Sequence, residues 1–404
     1  MGLNFPAAPL VGDVYPVPAL PGVPQWTWNG VSWKCGTIDT ANYIRKSGDA
    51  MTGPLVLAAD PAADMQAATR RYADAMAADN LLINGFMDVS QEFGFNTSQA
   101  SPNGTYIADQ WMVYGNTGFT TSNNGLGGGG VDPPGIYRMI GLVSPAGYAP
   151  VATHVAYFVQ PIEGLRFAKV GWGISPGIPV SVGFWVYSNV GGVMTVAMRD
   201  WNPASRSYCI PITIPATQWV YRTATFPPCP DGANWKIDNN ASGTLFFTFM
   251  PTTSLIAPAA NSWQSGNYIC APTQTNMFTA GSQGNYVTGV TLMPGNMPVP
   301  QALCQYMRRD PAQERLLCRR YFFYETYEAG HIWAHPIDLS NNFRRCSYRY
   351  NPEMRMAPVL TLAAANTGAA PTADHNSQFG ADLVLDVASN TYSYLTSIKA
   401  TARF

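Results

Sequence analysis

Hydrophobic positions along this chain repeat with two different periods. Period two dominates residues 81–300, where apolar and polar side chains alternate in runs broken by Gly, Pro and Asn clusters, as half-buried strands require. The clearest runs predict strands at Val151–Ile162, Val180–Ser188, Val193–Arg199, Val220–Phe226, Thr244–Met250 and Tyr286–Met293. In VSVGFWVYS, alternation puts Val180, Val182, Phe184 and Val186 on one face, and Ser181, Gly183, Trp185 and Tyr187 on the other. Aromatics on both faces place this strand in the middle of a packed sandwich. Asn123–Pro134, with its Gly127–Gly130 run, reads as a loop inserted between strands.

A helical period takes over in residues 43–80. Met51–Leu57 is a short strand by its pattern, entered through Gly48-Asp49 and crossed by Gly53-Pro54. After it Asp60 can cap a helix and Pro61 suits the first turn. Met65, Ala68, Tyr72 and Ala75 then repeat at a and d spacing. So short a helix is marginal alone in water, and its stripe needs burial. Sister copies of the same helix supply that most economically, which predicts a trimer-forming neck.

Beyond Pro300 the period changes again. VPQALCQYMRRDPAQERLLCRRYFFYETY begins as a helical connection and becomes aromatic strand, with Pro311 arguing against one continuous helix. Cys304 and Cys318 read as buried apolar side chains. HIWAHPIDL, NNFRRCSYRY, APVLTLAAA, ADLVLDVAS and SYLTSIKATARF are strand-like and predict a compact β-domain over 301–404, linker helix included. At the other end, residues 1–42 hold six prolines before Gln25 and then Trp26, Trp28 and Trp33 around Asn29-Gly30. This predicts an extended leader that docks rather than folds alone, followed by a small hairpin. The tryptophans serve either sugar binding or particle attachment, or else form a local plug over the hairpin's own strand edge.

Composition narrows the class. The chain has 404 residues with 12% charged, 12% aromatic, 37 Gly and 33 Pro, which describes an all-β protein with many loops rather than disorder. A net charge of -1 gives no general attraction for nucleic acid or an anionic membrane. Nine of the eighteen arginines fall between Arg308 and Arg355 with six acidic residues among them. That predicts a pairing network at an oligomer junction in preference to a polyanion patch. Seven cysteines without regular spacing do not make a disulfide framework. No signal peptide or membrane span is expected from the N-terminal residues or from any apolar run.

The neck run KSGDAMTGPLVLAADPAADMQAATRRYAD resembles the neck segment of tailed-phage tail-fibre proteins, where GDxMTGPLxL…DP…QAATxxYVD recurs. Ala73 departs from the usual Val. Residues 81–300 resemble the jelly-roll modules of phage fibres and related carbohydrate-binding modules. NLLINGFMDVSQ, ADQWMVY, QPIEGLRFAKVGWG, VSVGFWVYS, QWVYRTATFP, NWKIDNN, SWQSGNYI and YVTGVTLMPG carry that resemblance. CRRYFFYETY…RYNPEMRMAPVLTL resembles the C-terminal domain that follows the jelly roll in many phage fibres. Its P.EMR..P.VTL pattern is met by Pro352, Glu353, Met354, Arg355, Pro358, Thr361 and Leu362.

Together these resemblances imply a mainly β protein: a jelly-roll β-sandwich plus a smaller C-terminal β-domain, joined by a trimerising neck to an extended leader. They also imply a virion protein made in the host cytoplasm, homotrimeric, held to other virion proteins at its N-terminal end, and binding host surface polysaccharide. Jelly-roll modules often carry a structural Ca²⁺, but nothing in this chain identifies ligands for one, and no other cofactor is expected.

No HExxH or P-loop occurs. Between residues 80 and 300 the acidic residues are Asp88, Glu92, Asp109, Asp132, Glu163, Asp200, Asp231 and Asp238. A glycosidase would need two of these across one cleft, with Glu163 and Asp200 as an example. His331, Trp333 and His335 share a face if HIWAH is a strand, yet no carboxylate or cysteine is spaced to complete a metal site. Catalytic and metal residues are therefore expected to be none.

Glycan binding is the favoured chemistry, because sugars offer an apolar C–H face and a ring of hydroxyls. Trp201 leads the candidate plates, beside Asn202, Arg206 and Tyr208, with Trp235 and Trp263 in further loops. Trp111, Trp172, Trp185 and Trp219 are expected in packing. The alternatives are a head, collar or baseplate decoration contacting other virion proteins, and a polysaccharide depolymerase.

Overall fold

A computed structural model describes residues 4–19, 23–36, 79–126, 132–144, 147–172, 177–201, 206–229, 235–279, 281, 283–328, 343–365, 367, 369–386 and 394–404. The predicted neck with Met65, Ala68, Tyr72 and Ala75 lies outside these residues, as do Asn202 and the stretch containing His331, Trp333 and His335. The chain divides into two units, Met1–Thr69 and Arg70–Phe404.

In the first unit, Val14–Tyr15, Trp26–Trp28 and Trp33–Cys35 form a three-stranded antiparallel sheet. The hairpin register pairs Trp28 with Trp33. Its loop is longer than the Asn-Gly pair suggests. Asn29 N–H donates to the Ser32 carbonyl, and Asn29 Oδ1 accepts from the Val31 and Ser32 amides, so the Asn side chain caps a four-residue turn. The leader also folds back on the hairpin. Phe5 stacks on Trp33 with ring centroids 5.0 Å apart and meets Trp26 edge-on at 5.5 Å, while Tyr15 lies 6.3 Å from Trp33. All three tryptophans are half-buried.

The second unit contains a sandwich of two antiparallel sheets. One has six strands in the order Val220–Phe226, Val180–Ser188, Gln283–Pro294, Arg138–Ser144, Thr120–Gly125 and Thr97–Ala100. The other has seven, in the order Trp263–Ser265, Arg206–Ile214, Gly192–Asp200, Ala241–Thr248, Ala156–Glu163, Trp111–Gly115 and Asn103–Ala108. The alternation expected for VSVGFWVYS holds. Val180, Val182, Phe184 and Val186 are fully buried between the sheets with Met194, Val196, Met198, Leu245 and Phe247, and Phe184 meets Phe247 edge-on at 4.9 Å. Each such side chain contributes roughly 1.5–3 kcal/mol through burial.

The entry segment NLLINGFMD is buried yet irregular, so its asparagines replace the missing ladder. Asn80 Oδ1 accepts from the Leu82 and Leu292 amides, and its Nδ2 donates to the Val290 carbonyl. Asn84 Nδ2 donates to the Val89 and Asp109 carbonyls, while its Oδ1 takes the Val89 amide. Buried backbone groups outside a sheet need such partners.

After the sandwich come a 3-10 turn, Gln301–Met307, and a helix, Pro311–Arg319, N-capped by Asp310. Cys304 and Cys318 are fully buried. Two three-stranded sheets complete the chain: Phe322–Thr326, Tyr394–Thr401 and Val359–Ala365; and Phe343–Arg349, Gly380–Asp386 and Thr372–Asp374. Phe323, Met354, Leu383, Leu385, Leu395 and Ile398 are among the side chains of their shared core.

The arginine-rich stretch does form a pairing network, but its partners lie in the same chain. Arg308 reaches Asp88 at 2.6 Å, Arg309 reaches Asp79 at 2.7 Å, and Arg320 reaches Glu163 at 2.8 Å. Arg403 bonds Glu92 and lies over the Phe322 ring at 3.6 Å. These contacts close a seam between the sandwich and the C-terminal sheets, so the oligomer junction expected from sequence is, for these arginines, an internal one.

Candidate functional site

The loop tryptophans singled out by sequence mostly face inward. Trp235 is 7% exposed, stacked on Phe167 at 5.2 Å and edge-on to Trp172 at 4.8 Å. Trp263 packs 5.4 Å from Trp172 and 5.3 Å from Tyr208, with its Nε1 donating to the Pro227 and Pro228 carbonyls. Tyr208, Trp235 and Trp263 therefore belong to the core cluster of the sandwich and its margin, and are not open plates. Their large apolar surface is worth more buried than wet. Trp201 is half-buried, its ring 6.1 Å from Phe404 at the seam. Arg206 donates to Ser265 Oγ at 2.9 Å, and its amide bonds Asp200.

A different surface carries open aromatics. Because Phe184 and Val186 point into the core, Trp185 and Tyr187 must stand on the outer face of the six-stranded sheet. Trp185 is covered there by Tyr221, Phe86, Ile136 and Cys304. Tyr187 is not: it remains half-buried, directly across from Tyr286 on the next strand. Their centroids are 5.8 Å apart, and Trp219 flanks Tyr187 on its other side at 5.7 Å. Register continues the row from Tyr286 to Gly141, from Gly141 to Ser122, and from Ser122 to Ser98. At about 4.8 Å per strand this row is about 24 Å long.

Glycines set the pose of the central ring. A Cβ on Gly141 would stand 2.5 Å from Tyr286 Cδ1 and Cε1, and one on Gly284 would collide with the opposite ring edge. The Tyr286 ring thus lies flat over two glycines, with one side against the sheet and the other turned outward. Burial, and after it neighbouring Tyr187, raises the Tyr286 pKa, so the hydroxyl stays protonated and can both donate and accept. Ser98 is exposed, Asn124 half-exposed, and Asn124 Nδ2 donates to Ser122 Oγ at 3.1 Å. Three aromatic rings followed by amide and hydroxyl groups along one row can take the apolar face and the rim of a saccharide. The sequence signal was available in the outward alternation of Tyr187; Trp219, expected in packing, does pack against the cluster of Phe86, Ile136, Trp185 and Cys304 and stands half-buried beside Tyr187.

Glu163 and Asp200 do not form a cleft pair. Alternation turns Asp200 inward with Met198 and Val196, whereas Glu163 points opposite to buried Ile162. Glu163 is held by Arg320 and by the Tyr321 hydroxyl. Among the described residues no three His, Cys, Asp or Glu side chains gather as a metal site, and no helix is long and apolar enough to cross a membrane.

No family model matches the chain, and no curated protein does, so the phage-fibre resemblance stands on the quoted residues alone. Solved structures resemble it weakly. The enzymatically active domain of bacteriophage CBA120 tailspike protein 4 has 14% identity and a TM-score of 0.25, over 53% of this chain and 21% of that one. The arabinose-bound α-L-arabinofuranosidase MgGH51 has 10% identity and a TM-score of 0.29, over 65% and 33%. The family 11 carbohydrate-binding module of the Clostridium thermocellum cellulase Lic26A-Cel5E has 10% identity and a TM-score of 0.25, over 50% and 97%. This chain thus spans a fifth to a third of the first two. At these scores the likenesses carry no argument, and the functional reading rests on this chain's own residues.

Proposed function

We propose that the chain is a non-catalytic glycan-binding fibre or spike protein of a tailed phage. In this reading the neck trimerises, the leader and its Trp26, Trp28 and Trp33 hairpin attach to the virion, and the β bodies meet host surface polysaccharide. The observation that carries the binding role is the row of Trp219, Tyr187 and Tyr286 on the outer sheet face, with Tyr286 seated flat over Gly141 and Gly284. The neck sequence supports the fibre role.

A shallow row on an open sheet binds weakly by itself. Three tethered copies raise the effective concentration, and avidity of roughly a hundredfold or more follows when the sites engage together. Sedimentation equilibrium of the full chain checks this: a trimer is expected, and Met65→Asp with Tyr72→Asp should yield a monomer that binds polysaccharide far more weakly. A stably monomeric wild type, or equal affinities for the two forms, overturns the trimeric reading.

A further inference from the structure

The C-terminal body carries a second candidate surface. In the sheet of Phe343–Arg349, Gly380–Asp386 and Thr372–Asp374, Leu383 and Leu385 face the core, which leaves Ser347, Arg349 and Asp382 on the opposite face. Ser347 lies directly across from Asp382, and Arg349 across from Gly380. With His375, Ser377 and Phe379 from the adjoining loop, these side chains line an open groove of about 410 Å³, within the span of about 300–1,000 Å³ usual for small-ligand sites.

Its chemistry is uneven in a way that suggests a ligand. Phe379 is 52% exposed, a large apolar plate at the groove wall. Arg345 is neutralised by Asp374 at 2.9 Å. Asp382 accepts from Ser347 Oγ at 2.6 Å and faces His375 Nδ1 at 3.2 Å. Arg349 is exposed, and among the described residues no carboxylate pairs with it. Gly380 lets the two strands close tightly beside it, since a Cβ there would run into the Tyr348 carbonyl oxygen.

The loop that presents Phe379 is pinned at several points. Ser377 N–H donates to the Gly380 carbonyl at 2.9 Å, Phe379 N–H to Ser377 Oγ at 3.2 Å, and Tyr350 N–H to the Phe379 carbonyl at 3.0 Å. Such a plate costs little ordering on binding.

We propose that this groove is a second saccharide subsite, selective for a uronate residue. Phe379 takes the apolar face of the sugar ring, Arg349 pairs with the carboxylate, and Asp382 and His375 hold ring hydroxyls. The proposal rests on the glycan-binding reading and adds to it the charge of one sugar.

Titration of the full chain with galacturonate and glucuronate tetrasaccharides, and with their fully methyl-esterified forms, tests it. Esterification removes the charge and keeps the rings. At least one free acid should bind the wild type about tenfold or more tightly than its ester. Arg349→Ala should erase that preference and leave ester binding unchanged. Phe379→Ala should weaken acid and ester alike, and a Tyr187→Ala/Tyr286→Ala variant should retain the acid preference. Equal binding of acids and esters by the wild type, or a preference that survives Arg349→Ala, overturns the subsite. If that happens while neutral bacterial polysaccharides still bind through Tyr187 and Tyr286, the glycan reading stands and the uronate subsite alone falls; if neither acids nor neutral glycans bind, both fall.

Discussion

The Tyr286 ring rests on Gly141 of the neighbouring strand, so close that a Cβ at that glycine would stand 2.5 Å from two ring carbons. The pose of the central plate thus depends on a missing side chain. Gly141→Ala should tilt the ring off the sheet. We expect glycan affinity to fall about tenfold at a stability cost of about 1–3 kcal/mol from overpacking, read by titration and thermal unfolding of the same preparation. Unchanged affinity would mean that the flat pose does not matter.

The buried Arg355 holds the end of the chain against the sandwich. Its guanidinium donates to the Ala402 carbonyl at 2.5 Å, the Asn239 carbonyl at 2.6 Å and the Arg403 carbonyl at 3.2 Å, and lies 4.1 Å over the Phe404 ring. Arg355→Ala should destabilise the C-terminal sheets by about 3 kcal/mol or more, because several carbonyls lose a charged donor at once. Arg355→Lys should recover only part, since an ammonium cannot reproduce the fork. Urea unfolding followed by near-ultraviolet dichroism measures both.

Acid should loosen the same seam. Burial of Glu92 opposes its ionisation, but hydrogen bonds and charge from Lys399 and Arg403 outweigh it and hold the pKa below the ordinary 4.5. A depressed carboxylate pKa contributes stability that is full above the unfolded value and is lost as pH falls through the folded one. The stability gap between wild type and Glu92→Gln should therefore be widest near neutrality and close below about pH 4. Asp109 titrates in the opposite sense: burial pushes its pKa up despite Arg403 and Gln91, and it is present in both proteins. Urea midpoints measured across that range check the closing of the gap; a constant gap contradicts it.

Much of the fold was legible because sandwich burial imposes period two. Val180–Ser188 and Val220–Phe226 run as their patterns indicate, and Pro311 does separate the 3-10 turn from the helix. The site was less legible. Whether a loop tryptophan is wet depends on distant partners, and Trp235 meets Phe167 and Trp172 only once the sheets have closed. The seam has the same cause: Arg308 and Arg320 pair with Asp88 and Glu163, residues far away in sequence. The outer row required knowing that Tyr187, Tyr286 and Gly141 come into register, which alternation within one strand does not give. Phe379 carried no signal at all until its loop was placed beside Arg349.

Equilibrium binding of the full chain to a panel of bacterial surface polysaccharides, run beside the Tyr187→Ala/Tyr286→Ala variant, tests the glycan-binding role most directly. The wild type is expected to hold at least one polysaccharide, and the variant, shown to be folded by circular dichroism, to lose that affinity about a hundredfold, near tenfold for each plate. A variant that binds as well as the wild type would contradict it.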